Sequence, residues 1–280
     1  MKLTGYFQVI SASIVWGSIG IFARAIDLPA TVLNFYRFFF GALIFIAFYF
    51  LNSPKKKQKY VWDKKIFLQG FLTTITVVTF FVALSQTSIA NTVILQYVAP
   101  VYIAILALFL FKEKMEKITL ICLILSVIGI ILIASPQNIN LGSEFIGIFS
   151  GILSGIFYAL TIINAKSLSK KYSGIQINQS QFFVIATLLF PFIFFTSYTI
   201  TVWKLFLLVI IGCIHSALAF ALFVEGMKNI KTQHIGIISY FEPLSAVIFA
   251  ALFLNELPSF NTFLGGVLIL VSGYLIINKG

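Results

Sequence analysis

Four ionisable side chains stand out within the long apolar runs of this sequence: Arg37, His215, Glu225 and Glu242. An ion at the centre of a bilayer costs roughly 2.5–3.5 kcal/mol on insertion scales, so each is a functional candidate by default. Glu242 precedes Pro243, and a proline inside a helix frees the carbonyl one turn earlier. A carboxyl group beside freed backbone polar atoms can hold a proton or the cationic group of a substrate. It can equally pair with another helix and fix the kink. Arg37 can grip a substrate carboxylate with two parallel donors. Its structural alternatives are pairing with Glu242, pairing with carbonyls near Pro100, or snorkelling to the surface. His215 titrates near neutral pH and suits a proton relay, although a lone histidine bonded to a carbonyl is the plainer reading. Glu225 lies ten residues beyond His215 on roughly the same helical face, and three residues before Lys228, with which it can pair. Glu242, His215 and Glu225 are therefore the candidates for proton coupling.

A second set is aromatic. Trp16, Tyr97, Tyr158 and Tyr240, with Gln96 as a neighbouring donor and acceptor, can wall a central cavity suited to flat or apolar solutes. Against this, 16% of the chain is aromatic, and most such rings face lipid or other helices. Glu113 and Glu256 close two apolar runs and read as helix-end or gate contacts. No catalytic cluster emerges. Ser154-Gly155 is half of an intramembrane protease motif, with Ile152 where its leading glycine belongs. Cys122 and Cys213 are far apart in apolar runs and support neither a disulfide nor a metal site. The sequence offers no metal-ligand spacing and no Gly-rich nucleotide loop, so no cofactor is expected.

The elements that must position these residues follow from composition. The 280 residues are 60% hydrophobic and 10% charged, with a mean hydropathy of +1.05. A soluble domain carries about 25% charged residues, so a soluble enzyme and a nucleic-acid binder are excluded. About 20 apolar residues cross the hydrocarbon as a helix, which gives ten expected spans at 6–26, 30–51, 66–86, 91–111, 118–134, 145–164, 179–199, 204–226, 234–254 and 261–278. The first is expected to be retained, not cleaved as a leader. With the N-terminus inside, the cytoplasmic side would hold Lys2, Lys55, Lys56, Lys57, Lys59, Lys64, Lys65, Lys112, Lys114, Lys117, Lys166, Lys170, Lys171, Lys228, Lys231 and Lys279, which is 16 of the 19 basic residues. Arg24 and Lys204 would lie outside. That bias predicts both termini in the cytoplasm of a multi-pass cell-membrane protein.

Shifted against itself by 142–144 residues, the chain matches. Tyr97 falls on Tyr240, Pro100 on Pro243, Glu113 on Glu256, Phe80 on Phe223, Trp16 on Tyr158, Arg24 on Lys166, Asn34 on Asn178 and Arg37 on Gln181. Two five-span halves, 1–136 and 137–280, are expected. Five is odd, so the halves enter the membrane from opposite sides. An inverted repeat predicts alternating access to a site near the midplane.

Trp16-Gly17, Arg37-Phe38, Glu242-Pro243 and Asn255-Glu256, set in a duplicated five-helix unit, resemble the EamA family of the drug/metabolite transporter superfamily. The likeness spans essentially the whole chain. The family's end-of-helix Gly-Glu is replaced by Lys112-Glu113 and Asn255-Glu256, and the Glu-Pro of the ninth helix by Ala99-Pro100 in the fourth. What the resemblance implies is an all-α membrane protein of ten transmembrane helices in two inverted five-helix repeats, exporting amino acids or related small metabolites. The expected partners are the lipid bilayer and a small-molecule substrate, with no nucleic acid and a homodimer left open. The competing readings are a lipid flippase or a membrane enzyme. A flippase would need a basic lateral groove, but Arg37 is the one basic residue well inside a span, and an enzyme would need a reactive cluster.

Overall fold

The computed structural model describes residues 2–51, 63–134 and 144–279. Long runs of Leu, Ile, Val and Phe leave the backbone no partner but itself in lipid, so they coil into helices. These are α1 (Lys2–Gly17), α2 (Ile19–Ile26), α3 (Ala30–Leu51), α4 (Lys64–Gln86), α5 (Ile89–Gln96), α6 (Ala99–Leu110), α7 (Lys117–Ala134), α8 (Phe145–Ser169), α9 (Gly174–Leu189), α10 (Val202–Ile211), α11 (Ala219–Met227), α12 (Thr232–Ser239), α13 (Phe241–Leu254) and α14 (Phe260–Lys279). A 3₁₀ turn at Phe190–Phe194 follows α9, and a π turn at Gly212–Leu218 joins α10 to α11. Together they make ten spans long and apolar enough to cross a membrane. Phe7, Phe67, Phe109, Phe149, Phe183 and Phe263 stand exposed on the outside of the bundle, where lipid is their solvent.

Packing follows the repeat. α4 lies along α8 as α11 lies along α1, and α9 lies on α4 as α3 lies on the π turn and α10. α3 packs on its own counterpart α9, and α7 on its counterpart α14. In the last pair the buried hydroxyls of Ser126 and Ser272 meet at 2.6 Å. The spans form two inverted repeats of five helices. One pairing departs from the symmetry: α6 packs along α12, but the corresponding α5 and α13 make no comparable contact.

The charged residues sort onto two faces. Lys171–Asp63 (3.5 Å), Lys228–Glu225 (2.7 Å) and Lys231–Glu116 (2.5 Å) lie at one face, and Arg24–Glu256 (2.6 Å) at the other. There Lys204 Nζ also donates to the Asp27 carbonyl at 3.1 Å. Lys55, Lys56, Lys57 and Lys59, the side chains of Lys2 and Lys279, and the boundary expected at 136/137 lie outside the described residues.

Two expectations are corrected. The seventh span begins at Gly174 and ends at Phe194, not at 179 and 199. Ser173 Oγ accepts from the Gln176 amide (3.2 Å) and Gln176 Oε1 from the Ser173 amide (3.0 Å). This reciprocal cap starts the helix early, and the 3₁₀ turn around Pro191 ends it. The polar run Asn178-Gln179-Ser180-Gln181 is thereby drawn into the bundle and buried. Lys166, expected in a loop, lies within α8 at 6% exposure. Its ammonium donates to the carbonyls of Met227 and, at 2.7 Å, Ile230, closing the end of α11.

Candidate functional site

The site is organised by two breaks. Pro100 and Pro243 each divide a span in two, leaving Tyr97 between α5 and α6 and Tyr240 between α12 and α13. Tyr240 is fully buried, and its hydroxyl donates to the Tyr97 carbonyl at 2.7 Å. The two rings lie 6.1 Å apart. The breaks are thus tied to each other at the centre of the bundle. Glu242 stands in the first turn of α13, where the helix dipole favours a carboxylate. The Tyr97 hydroxyl, Arg37 and Tyr158 lie within its electrostatic reach.

Arg37 is held by the π turn. Nε donates to Ser216 Oγ at 3.2 Å and Nη2 to the His215 carbonyl at 3.3 Å. The guanidinium lies over the rings of Phe38 (5.2 Å) and Phe220 (5.9 Å), a favourable seat for a cation. The carbonyl it engages is therefore His215's, not one near Pro100. A π turn is a wide, rare helical element, frequent at functional sites, and here it presents its carbonyl and hydroxyl to α3.

His215 is 1% exposed. Its Nε2 meets Ser18 Oγ at 2.9 Å and its ring contacts Phe22 at 5.0 Å. Among the described residues its Nδ1 has no hydrogen-bond partner. Trp16 is also buried, its ring 4.8 Å from Phe220 and 4.9 Å from Phe223, and its Nε1 donates to the His215 carbonyl at 2.8 Å. Both residues thus support the site from behind. Gln96 Nε2 donates to Ser154 Oγ (3.0 Å), which donates to the Thr76 carbonyl (3.2 Å), joining α5, α8 and α4. Glu225 does not reach this group. It remains at the lysine-rich face, bonded to Lys228 at 2.7–2.8 Å and accepting from the Gly174 amide at 3.4 Å.

The structure therefore brings together Arg37, Tyr97, Tyr158, Tyr240 and Glu242, with Gln96, Trp16 and His215 around them. Arg37, Gln96, Tyr97, Tyr158 and Glu242 are only half-buried despite their depth in the spans. Beside them α5 and α13 stand apart, whereas α6 and α12 pack together toward the lysine-rich face. Sequence reasoning missed Ser18 and Ser216, whose signal was a hydroxyl within an apolar run. It also missed why Gly17 precedes Ser18: a Cβ there would stand 2.6 Å from the Glu242 carbonyl and 2.8 Å from the Ala246 amide. Glycine lets α1 pass close to the turn that carries Glu242. Among the described residues no group of three or more His, Cys, Asp or Glu side chains could hold a metal.

The sequence profile of the EamA-like transporter family matches residues 3–135 and matches again over residues 145–278. The chain belongs to the EamA-like transporter family. A transporter of Archaeoglobus fulgidus is 28% identical over 273 residues, covering 97% of this chain and 95% of its own, and bears the name "Uncharacterized transporter". The transporter YxxF of Bacillus subtilis is 26% identical over 96% of this chain and 88% of its own length. A solved protein crystal structure superposes with a TM-score of 0.85 over 97% of this chain and 95% of that one, at 14% identity, a likeness of fold. This EamA-like chain is accordingly a multi-pass membrane transporter, in contact with the bilayer on its outer face.

Proposed function

We propose that this EamA-like protein exports amino acids or closely related zwitterionic metabolites across the cytoplasmic membrane by alternating access. The observation that carries the reading is that Arg37 and Glu242 lie within electrostatic reach of each other, deep in the bundle, with Tyr97 and Tyr158 beside Glu242. A guanidinium receives a carboxylate and a carboxylate receives an ammonium, so the pair complements both ends of a zwitterion. The aromatic walls accept the apolar body between them. Burial makes each contact costly to leave unmade, which gives selectivity against solutes lacking either charge.

The lysine-rich face is the cytoplasmic one in this reading, by the positive-inside bias. Glu242 is the residue proposed to exchange protons with the transport cycle, since it is the carboxylate of the central cluster, near Arg37 and Tyr97. Inverted repeats supply the motion: two similar halves exchange unequal conformations about a fixed centre.

Counterflow tests the proposal. Proteoliposomes loaded with unlabelled amino acids or nucleobases receive labelled tracers outside, with and without a pH gradient. Accumulation of an amino acid tracer above empty-vesicle controls, changed by the gradient, is the expected result. Accumulation of nucleobases alone, or of nothing by folded protein, overturns the substrate class.

A further inference from the structure

α12 starts behind Lys231, which offers it no side-chain cap. Its first amides are taken instead by Glu113, from beyond the far end of α6. Glu113 Oε1 accepts from the Thr232 amide (3.0 Å) and the Thr232 hydroxyl (2.7 Å), and Oε2 from the Gln233 amide (3.3 Å). One carboxylate thus satisfies two of the four orphan donors of a helix start and sits at the positive end of its dipole. It also ties the second half of span 4 to the first half of span 9 at the lysine-rich face. There the chain is closed: every residue from Thr232 to Tyr240 is buried. Gly236 brings α12 so near α6 that a Cβ would stand 3.1 Å from Pro100.

The repeat puts Glu256 at the matching point on the opposite face, and there the contact differs. Glu256 bonds Arg24 at 2.6 Å, with the two side chains 51% and 60% exposed. α5, the counterpart of α12, carries its own cap, Ser88 Oγ accepting from the Asn91 amide at 3.1 Å. Val93 stands where α12 has Gly236. Lys166, the counterpart of Arg24, is buried on two carbonyls within electrostatic reach of Glu113. Glu113 also lines a cavity of about 280 Å³ with Tyr6, Lys228, Lys231 and His234, which leaves its side chain room to move.

We propose that Glu113 and Glu256 are alternate latches that position the half-helices of spans 4 and 9 during transport. In the state described, Glu113 holds α12 against α6 and Glu256 rests on Arg24. In the return state Glu256 moves to the start of α5 and Glu113 moves to Lys166. The exchange conserves one carboxylate on a helix start and one on a cation, so the two states stay close in free energy, as cycling requires. The proposal rests on the alternating-access reading above. Because α5 caps itself and α12 does not, loss of Glu113 has the larger effect.

Spin-label distances on the full-length protein in lipid nanodiscs test it, with Cys122 and Cys213 replaced by alanine. One label pair, at Lys114 and Asn229, reads the lysine-rich face, and the other, at Gln86 and Leu257, the opposite face. Glu113→Ala is expected to lengthen the first distance and shorten the second in most molecules, and Glu113→Gln to move both the same way by less. Glu256→Ala is expected to leave the described state populated. Adding Lys231→Ser to Glu113→Ala gives α12 its own cap, and is expected to restore thermal stability while the distances stay shifted. If Lys231→Ser also restores the distances, or if Glu113→Ala moves neither, Glu113 is a helix cap alone and the latch is wrong. Counterflow on the same proteins separates the two readings. Uptake by the wild type with unmoved distances keeps transport and removes the latch. Shifted distances with no uptake of any amino acid keep the latch and remove the substrate class.

Discussion

Trp16 and Arg37 share one acceptor: Trp16 Nε1 and Arg37 Nη2 both donate to the His215 carbonyl, at 2.8 and 3.3 Å. The sharing joins α1 and α3 to the π turn of span 8 and fixes the guanidinium with part of its donor set. Trp16 thereby acts on the site without lining it.

Trp16→Phe keeps the ring among Phe220 and Phe223 and removes only the indole donor. Interhelical hydrogen bonds in membranes average about 0.6 kcal/mol and reach about 1.7. A loss in that range is expected, read as a lowered melting temperature in detergent. A loss several times larger would mean that ring packing, and not the shared carbonyl, dominates.

Glu242→Gln preserves volume, Arg37→Gln shortens the side chain, and each removes one charge. A hydrogen bond to a charged group contributes about 1.5–3 kcal/mol, or roughly 10–100-fold in affinity. Both variants are expected to fold and to weaken tracer accumulation by that factor. Glu242→Gln is additionally expected to lose the response to a pH gradient. If its melting temperature drops instead, while accumulation persists, Glu242 serves the kink and not the solute.

Gly17→Val forces α1 away from the start of α13, because the added carbons meet the Glu242 carbonyl and Ala246 amide. Overpacking of this kind costs about 1–3 kcal/mol. The expected signature is a lower melting temperature together with weaker substrate accumulation, since the displaced turn carries Glu242. Loss of stability with unchanged accumulation would uncouple the helix contact from the site.

Asp63 lies outside the spans and starts α4. It accepts from the Lys65 amide (2.9 Å) and the Tyr172 hydroxyl (2.8 Å). These bonds, led by the Lys65 amide, hold its pKa below the ordinary 3.8. The folded value lies below the unfolded one, so its contribution is complete above the ordinary value and is lost as pH falls through the folded pKa. Melting temperatures between about pH 3 and 6 should fall on the acid side less steeply in Asp63→Asn than in the wild type. Equal slopes would remove Asp63 from the acid response.

The ten spans were legible because run length alone separates a membrane helix from everything else in this composition. The repeat was legible from pairs such as Tyr97/Tyr240 and Glu113/Glu256, which survive any drift of the lipid-facing residues. The seventh span was misplaced because Gly174 to Asn178, with Gln176 and Asn178 among them, look like a loop by hydropathy. The reciprocal cap of Ser173 and Gln176 starts the helix ahead of them, a pattern that hydropathy does not register. The central cluster was visible in part, since ions in apolar runs are rare enough to stand out one by one. Their partners were not visible. Arg37 meets a main-chain carbonyl that is offered by a π turn, and no residue type marks that turn in advance. Lys166 looked like a loop lysine because a buried cation on two helix-end carbonyls is a tertiary arrangement. Lys231 stands where α5 has its capping Ser88, but only the fold shows that Glu113 takes the amides left uncapped.

Competition against counterflow tests the central claim, that Arg37 and Glu242 read the two ends of one solute. A labelled amino acid that accumulates in proteoliposomes is challenged with the unlabelled compound, with its decarboxylated amine and with its deaminated acid. The account predicts that only the compound carrying both charges competes at low concentration, that Arg37→Gln narrows its advantage over the amine, and that Glu242→Gln narrows its advantage over the acid. Equal competition by the amine or the acid in the wild type would contradict it.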